Sequence, residues 1–308
     1  MLSLLDIEEL TSIIRGKALQ IKMKNKLQIL VTVIFLAFVA WWISFQHVVT
    51  KQGTSVQWFG GTYGSVALIG AVIGFAAAKK WGGFKTVLGR ALTLFSLSLL
   101  AQEAGQLIYT YYIYGAKIQI PYPSWGDVAY FGSVLFYIAA AFFLARAAGV
   151  KYSLKQKKSY KFIATVLPLV LLVASYSILL HNHHYDTSKP LTVFLDVGYP
   201  VGEAIYISIA IVAFLLSRKA LGGMLRPAIL LVLLALVIQY ISDFTFVYQS
   251  SRGTYLSGKF ADLFYLIAYF AMTTALIRFH VAYKHIQNRP GLPVNSAPPL
   301  QTTNKVDV

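Results

Sequence analysis

The chain has 308 residues, of which 57% are hydrophobic and 12% are charged, and its formal net charge is +16. A mean hydropathy of +0.63 and this apolar share exclude an ordinary soluble domain, in which about half of the residues are apolar. The absence of cysteine from the sequence excludes a disulfide framework and thiolate chemistry.

Long apolar runs, most of them about 20 residues in length, predict an all-α, polytopic helical membrane protein with about eight transmembrane helices. In chain order the predicted spans are roughly 27–49, 59–78, 88–114, 124–147, 162–181, 191–216, 226–249 and 256–281. They form one predicted transmembrane domain, 27–283. The second span is the weakest, and we retain it because its glycines suit close packing between membrane helices. These glycines are Gly60, Gly64, Gly70 and Gly74.

The two ends of the chain differ from its centre. Residues 1–26 mix leucine and isoleucine with charges, which fits either an amphipathic helix on the cytoplasmic leaflet or a solvated juxtamembrane segment. Residues 284–308 contain proline, serine and asparagine with little apolar surface to bury, so we predict a disordered cytoplasmic tail.

Basic residues are distributed unevenly between the two predicted sides of the membrane. Eight spans with a cytoplasmic N-terminus place 22 of the 27 lysines and arginines on the cytoplasmic side. The positive-inside rule therefore predicts a multi-pass membrane protein with both termini in the cytoplasm. The basic charge then contacts anionic lipid of the bilayer, and nucleic acid is not a predicted partner.

A short pattern, small residue–acid–x–x–Tyr, occurs three times near the start of an apolar run. It is found at 126–130, 202–206 and 261–265. A carboxylate in such a run costs about 2.5–3.5 kcal/mol even on lenient insertion scales, so something must compensate for it. The repeats predict one polar chamber built by three helices, with Asp262 about six residues into its span.

Further polar residues fall in the same predicted outer layer. The predicted ligand-binding set is Glu103, Asp127, Tyr130, Asp196, Tyr199, Glu203, Tyr206, Gln239, Asp243, Asp262 and Tyr265. One interpretation is that these groups hold helices together through hydrogen bonds. The other is a water-filled cup that binds a proton, a cation or a small ligand, and the one-sided clustering favours it. For Asp127, a capping box with Ser124 is a third interpretation.

The sixth predicted span contains a candidate hinge. Pro200 cannot donate a backbone hydrogen bond to Asp196, and Gly198 and Gly202 flank it. Broken membrane helices are tolerated where they line a cavity, so the hinge and the acids predict a moving, ligand-binding helix.

Histidines offer only a weak metal site, and the sequence identifies no cofactor. The candidates are His47, His181, His183 and His184, predicted on the same side of the membrane but without fixed helical spacing. The sequence contains no credible nucleophile–base pair, which favours a protein that is not an enzyme.

Three segments, 122–146, 194–218 and 260–279, resemble a known family. They are similar to the multi-span N-terminal sensor domains that precede GGDEF/EAL cyclic-di-GMP enzymes and some bacterial histidine kinases. The matching positions are Pro123, Ser124, Asp127, Tyr130, Tyr199, Pro200, Glu203, Asp262 and Tyr265. Glu203 departs from the family's aspartate by one methylene. The resemblance implies a protein of the prokaryotic plasma (inner) membrane. A second departure is that the chain stops after the last span, where the family's output enzyme begins, so the signalling interpretation requires a separate cytoplasmic signalling protein.

The sequence therefore predicts an integral membrane sensor that binds an ion or small ligand in an outward-facing acidic chamber. The alternative is a small secondary transporter or a proton- or cation-coupled carrier. A transporter needs a polar path that continues inward, whereas the inner halves of the fourth, sixth and eighth spans are nearly apolar. This pattern favours the sensor.

Overall fold

The computed structural model describes residues 26–46, 54–118, 120–149, 158–177, 187–216, 224–251 and 254–287. Almost all of the predicted juxtamembrane segment and C-terminal tail lies outside these ranges.

Within the described ranges the chain forms helices and no strand, as predicted. The helices are α1 (Lys26–Gln46), α2 (Thr54–Thr62), α3 (Ser65–Lys80), α4 (Val87–Thr110), α5 (Trp125–Ala147), α6 (Lys158–Ser175), α7 (Pro190–Leu216), α8 (Arg226–Ser251) and α9 (Phe260–Gln287).

Seven helical units in the described ranges are long and apolar enough to cross a membrane. They are α1, α4, α5, α7, α8, α9 and the unit Ser55–Lys80, in which a turn at Tyr63 and Gly64 joins α2 to α3. The second predicted span is thus confirmed. The fifth predicted span corresponds to α6, whose apolar stretch, Thr165–Ala174, is shorter than predicted. The prediction of a polytopic helical membrane protein is confirmed.

Six of the helices form a closed ring. Contacts run from α3 to α4, α5, α7, α8 and α9, and α9 returns to α3. Outside the ring, α6 packs against α7, and α1 packs against α9 through a stacked pair, Phe35 and Phe270, with ring centroids 4.2 Å apart. The interior of this ring is where polar side chains of several helices can meet.

Glycines in α3 allow the ring to close. A Cβ atom at Gly70 would lie 2.3 Å from Thr273 Oγ1 of α9, and one at Gly74 would lie 2.2 Å from Ser96 Oγ of α4. Side chains at these positions would therefore separate α3 from both neighbours. Gly60 and Gly64 also face close neighbours, so the predicted role of these four glycines is confirmed.

Neighbouring helices α5 and α7 run in the same direction. Gly198 lies against Phe131, and one turn further along both helices Gly202 lies against Val134. Two parallel neighbours require the intervening chain, which contains α6, to return from one end of the bundle to the other. The path of the chain therefore agrees with eight crossings, although α6 has a short apolar stretch.

One end of the bundle, which we call the basic end, collects lysine and arginine. Arg90 stacks over Phe143 there, and Arg226 stacks over Phe214. Its described basic residues also include Lys79, Lys80, Lys85, Arg146, Arg278 and Lys284. Because α1 is antiparallel to α9, with Gln28 near Thr274 and Gln46 near Gly258, the first and last described helices begin and end at this basic end.

A labelling experiment tests which side of the membrane the basic end faces. The chain has no cysteine, so single-cysteine variants need no cysteine-free background. We expect an impermeant thiol reagent to label Thr254→Cys in intact cells and to leave Lys85→Cys unlabelled until the cells are opened. Both positions are exposed in the fold, and they lie at opposite ends of the bundle. Labelling of Lys85→Cys alone in intact cells would show that the orientation is opposite to the predicted one.

Candidate functional site

The first acid of the repeated pattern caps a helix. Ser124 accepts a hydrogen bond from the backbone N–H of Asp127, and the Asp127 carboxylate accepts at 2.7 Å from both the backbone N–H and the hydroxyl of Ser124. Tyr109 donates to the other carboxylate oxygen at 2.9 Å. The predicted capping box is therefore confirmed, and the protein itself satisfies both carboxylate oxygens of this acid.

The third acid of the pattern has a similar position. Asp262 lies in the first turn of α9 and accepts hydrogen bonds from Gly258 N at 2.6 Å, Tyr255 Oη at 3.0 Å and Ser257 Oγ at 3.3 Å. Burial, and next the nearby Asp262 carboxylate, raise the pKa of Tyr255 above its ordinary value, so this hydroxyl keeps its proton and remains a donor. Asp262 is thus anchored at the end of its helix.

Two other predicted site residues connect α5 and α7 near their N-terminal ends. Tyr122 donates to Asp196 Oδ1 at 2.6 Å, and Tyr199 donates to the backbone carbonyl of Asp127 at 3.2 Å. Burial, followed by the hydrogen bond to Asp196, raises the pKa of Tyr122 above its ordinary value. These bonds hold the parallel helices in register.

A row of polar residues on α4 faces the ring interior. Gln106 Oε1 accepts from Tyr63 at 3.2 Å and from Tyr130 at 3.1 Å, and its Nε2 donates to the carbonyl of Gly60. One turn earlier, Gln102 accepts from Tyr269 at 3.0 Å and donates to Ser133 at 2.8 Å. The two amides connect α4 with the α2–α3 unit, α5 and α9.

Glu103 lies between these amides in sequence but has a different environment. It is buried, and its Oε2 has no hydrogen-bond partner among the described residues. A Cβ atom at Gly64, the residue before α3, would lie 2.1 Å from this oxygen, so the carboxyl group lies against the N-terminal end of α3.

The second acid of the pattern, Glu203, forms a pair with Asp243 of α8, which we call the carboxyl pair. The two carboxyl groups lie close enough to each other to interact directly. Asp243 Oδ1 also accepts from Tyr265 at 2.6 Å, and Gln239 Nε2 donates to the two Asp243 oxygens at 3.3 Å and 3.1 Å. Three helices, α7, α8 and α9, therefore meet at Asp243.

Several polar atoms around the carboxyl pair have no hydrogen-bond partner among the described residues. They are Glu203 Oε1, Gln239 Oε1 and Tyr206 Oη. Glu203 and Gln239 are each 2% exposed, and Tyr206 is fully buried. Since the large majority of buried polar groups are hydrogen-bonded, three orphaned atoms in one place mark a specific site rather than ordinary helix contacts.

Tyrosine rings connect the carboxyl pair with the polar row on α4. Tyr265 stacks on Tyr269, and Tyr269 stacks on Tyr63, each with ring centroids 6.2 Å apart. Tyr265 and Tyr269 in turn hydrogen-bond to Asp243 and Gln102 respectively. These packed rings and hydrogen bonds connect the carboxyl pair, on α7 and α8, with the polar row on α4.

The candidate hinge lies within an unbroken helix. Helix α7 continues through Pro200, which is buried. Gly198 and Gly202 accommodate Phe131 and Val134 of α5, so close packing is one role of these glycines. Bending at Pro200 stays a prediction.

The weak metal candidates, His47, His181, His183 and His184, lie outside the described residues. Within the described ranges, no group of three or more histidine, aspartate or glutamate side chains could hold a metal ion. A groove of about 460 Å³ between α2 and the end of α4 is lined by residues that include Trp58, Thr62 and Tyr111. None of its lining residues belongs to the carboxyl pair or to the polar row on α4.

Some residues of the polar interior were not among those predicted from the sequence. Tyr63, Tyr269 and Ser133 all hydrogen-bond within it. Tyr269 follows Tyr265 by four residues, so the face of α9 that begins with Asp262 continues one turn further as tyrosine. That spacing was a usable signal, whereas Ser133 and Tyr63 carry no distinctive pattern.

The fold and this interior together define a multi-pass helical membrane protein with a buried polar core. Comparison of the chain with protein families, with curated proteins and with solved structures finds no match.

Proposed function

We propose that this protein is a membrane sensor module that binds an ion or small ligand at the carboxyl pair and relays binding to a separate cytoplasmic signalling protein at the basic end. The observation that carries the proposal is the set of orphaned polar atoms on Glu203, Gln239 and Tyr206. A buried polar atom without a partner costs about 1–3 kcal/mol, so a ligand that supplies partners binds favourably there.

The packing between the carboxyl pair and the basic end supports a sensor rather than a transporter. Buried residues in this half are mostly small or aliphatic: Ala77, Ala78, Ala140, Ala141, Leu144, Ala210, Ala213, Ala228, Ile229 and Val232. Buried hydroxyl groups there, such as Thr93, Ser96 and Ser208, donate to carbonyls of their own helices. Such packing transmits a helix movement but offers a solute few polar partners along a path.

The resemblance to bacterial sensor domains supports the same proposal. Asp127 and Asp262 of the family-like motifs anchor helix ends, and Glu203 of the middle motif belongs to the carboxyl pair. In this arrangement two acids position α5 and α9, and the third is available to a ligand. A transporter is the second candidate because Pro200 lies within one turn of Glu203 in α7.

A flux assay separates the two candidates. The protein is reconstituted into liposomes that contain a pH-sensitive dye and a sodium-sensitive dye, and gradients of sodium and of protons are applied in turn. For a sensor we expect both dye signals to match those of empty liposomes. Sustained proton or sodium movement that requires the protein, and that Glu203→Gln removes, would instead identify a transporter.

A distance measurement tests the relay directly. Spin labels at Arg146→Cys and Leu215→Cys report the separation of the basic ends of α5 and α7. We expect this separation to change by ~1.5 Å or more, which is the rise of one residue in a helix, when sodium chloride replaces N-methyl-D-glucamine chloride at equal ionic strength. Pro200→Ala restores a backbone hydrogen bond and should reduce this change without preventing sodium binding. An unchanged separation in the wild-type protein would contradict a relay driven by sodium.

A further inference from the structure

The carboxyl pair has an uneven supply of hydrogen-bond donors. Asp243 accepts from Tyr265 and Gln239, whereas Glu203 Oε1 has no donor among the described residues. Two ionised carboxylates side by side would repel in this buried place, so one of the two holds a proton. The geometry places that proton on Glu203, beside an ionised Asp243.

The orphaned atoms beside this proton have the chemistry of cation ligands. Glu203 Oε1 and Gln239 Oε1 are acceptor oxygens, and Tyr206 Oη carries lone pairs. The Gln239 amide is oriented by its Nε2, which donates to Asp243, so its oxygen is the free end of an amide already held at the pair. Hard cations are bound in proteins by this combination of carboxylate, amide and hydroxyl oxygens.

We infer that the carboxyl pair is an exchange site at which a monovalent cation of the sodium type replaces the proton of Glu203. The Glu203 O–H bond breaks, the proton leaves to solvent, and the cation is bound by oxygens of Glu203, Asp243, Gln239 and Tyr206. No electron is transferred, and the buried site carries the same net charge before and after the exchange. The inference rests on the proposed function, for which it names the ligand.

The surroundings of the pair are consistent with a singly charged ion. In the described ranges, the other titratable groups around the pair are tyrosines from every helix packed against it. They are Tyr130 and Tyr137 of α5, Tyr199 and Tyr206 of α7, Tyr240 of α8, and Tyr265 and Tyr269 of α9. The lysines and arginines of the described ranges lie toward the helix ends, so none is placed at the pair to take the position of the cation. Divalent calcium takes about six to eight oxygen ligands. These four side chains supply at most six, and both Asp243 oxygens already accept hydrogen bonds from Gln239 or Tyr265.

Proton release on addition of sodium tests the exchange. Purified protein in weakly buffered detergent solution, with a pH indicator, receives sodium chloride or N-methyl-D-glucamine chloride at equal ionic strength. We expect about one proton per protein to be released by sodium and none by the organic cation. Glu203→Gln should release less than a tenth of the wild-type amount. The matched control is Ser208→Ala, which removes a buried hydroxyl of the same helix that donates to the carbonyl of Ala204, and it should behave as wild type.

Two results would overturn the exchange: sodium releasing no more protons than the organic cation, or Glu203→Gln releasing as many as wild type. A response to magnesium or calcium without one to sodium would overturn the assignment to monovalent ions. If Glu203→Gln does not fold, Gln239→Leu removes one proposed oxygen ligand and leaves both carboxyl groups. It should raise the sodium concentration for half-release at least tenfold, and an unchanged value would contradict the site. Proton release without a change in the α5–α7 separation would support the exchange of a proton for sodium and contradict only the proposed relay to the basic end.

Discussion

Replacing Gly74 with leucine should lower the free energy of unfolding by about 3 kcal/mol or more and open the helical ring. At this position α3 lies between two neighbours, because a Cβ atom would be 2.2 Å from Ser96 Oγ of α4 and 2.8 Å from Leu276 Cδ1 of α9. A leucine side chain needs several times the space of that one atom. Either α4 or α9 must then move away from α3, and both contacts are links of the closed ring. Unfolding in mixed micelles, followed by tryptophan fluorescence, measures the effect.

Gly132 provides a matched control for this substitution. It also lies within a transmembrane helix, α5, but a Cβ atom there would meet nothing within 4 Å. Gly132→Leu should therefore leave the free energy of unfolding unchanged or raise it by about 0.8 kcal/mol, since leucine favours helix over glycine. Equal losses of stability in the two variants would show that glycine is required for helix flexibility rather than for close approach of α3.

The glycines of α3 also show how much of the fold could be predicted from the sequence. Small residues four positions apart share one face of a helix, so the sequence alone indicates that this face packs closely. The sequence does not indicate which helices occupy that face. The neighbours, α4 and α9, follow from the closure of the ring, and contacts between distant parts of the chain have no local signal.

In the candidate site, too, the local features could be predicted from the sequence, whereas the contacts between distant residues could not. The capping role of Asp127 was visible because Ser124 precedes it by three residues, which is a local pattern. Asp262 was predicted about six residues into its span, whereas α9 begins at Phe260 and places it in the first turn. An error of four residues in a helix start thus turns a capping acid into an apparent mid-membrane acid. The pairing of Glu203 with Asp243 could not be predicted, because it depends on α7 and α8 being neighbours.

Replacing Asp243 with alanine should be the most damaging single change in the polar interior. Asp243 accepts hydrogen bonds from Gln239 and Tyr265, and the Glu203 carboxyl group lies beside it, so residues of three helices meet there. Its removal leaves two buried donors without their acceptor, each at about 1–3 kcal/mol, so we expect the free energy of unfolding to fall by at least about 2 kcal/mol. The matched control is Asp196→Ala. Asp196 is only partly buried and lies near the start of α7, and we expect a loss of about 1 kcal/mol or less.

A double-mutant cycle tests whether this loss comes from the hydrogen bonds or from the cavity that alanine leaves. Tyr265→Phe removes the hydroxyl that donates to Asp243 at 2.6 Å and keeps the ring that stacks on Tyr269. If the bonds are responsible, Asp243→Ala should cost less by about 1 kcal/mol or more in the Tyr265→Phe background, because one orphaned donor is already absent. Additive losses would assign the effect to packing. The carboxyl pair would then stabilise the helices as any well-packed residue does, and the orphaned oxygens of Glu203 and Gln239 would remain as its only distinctive feature.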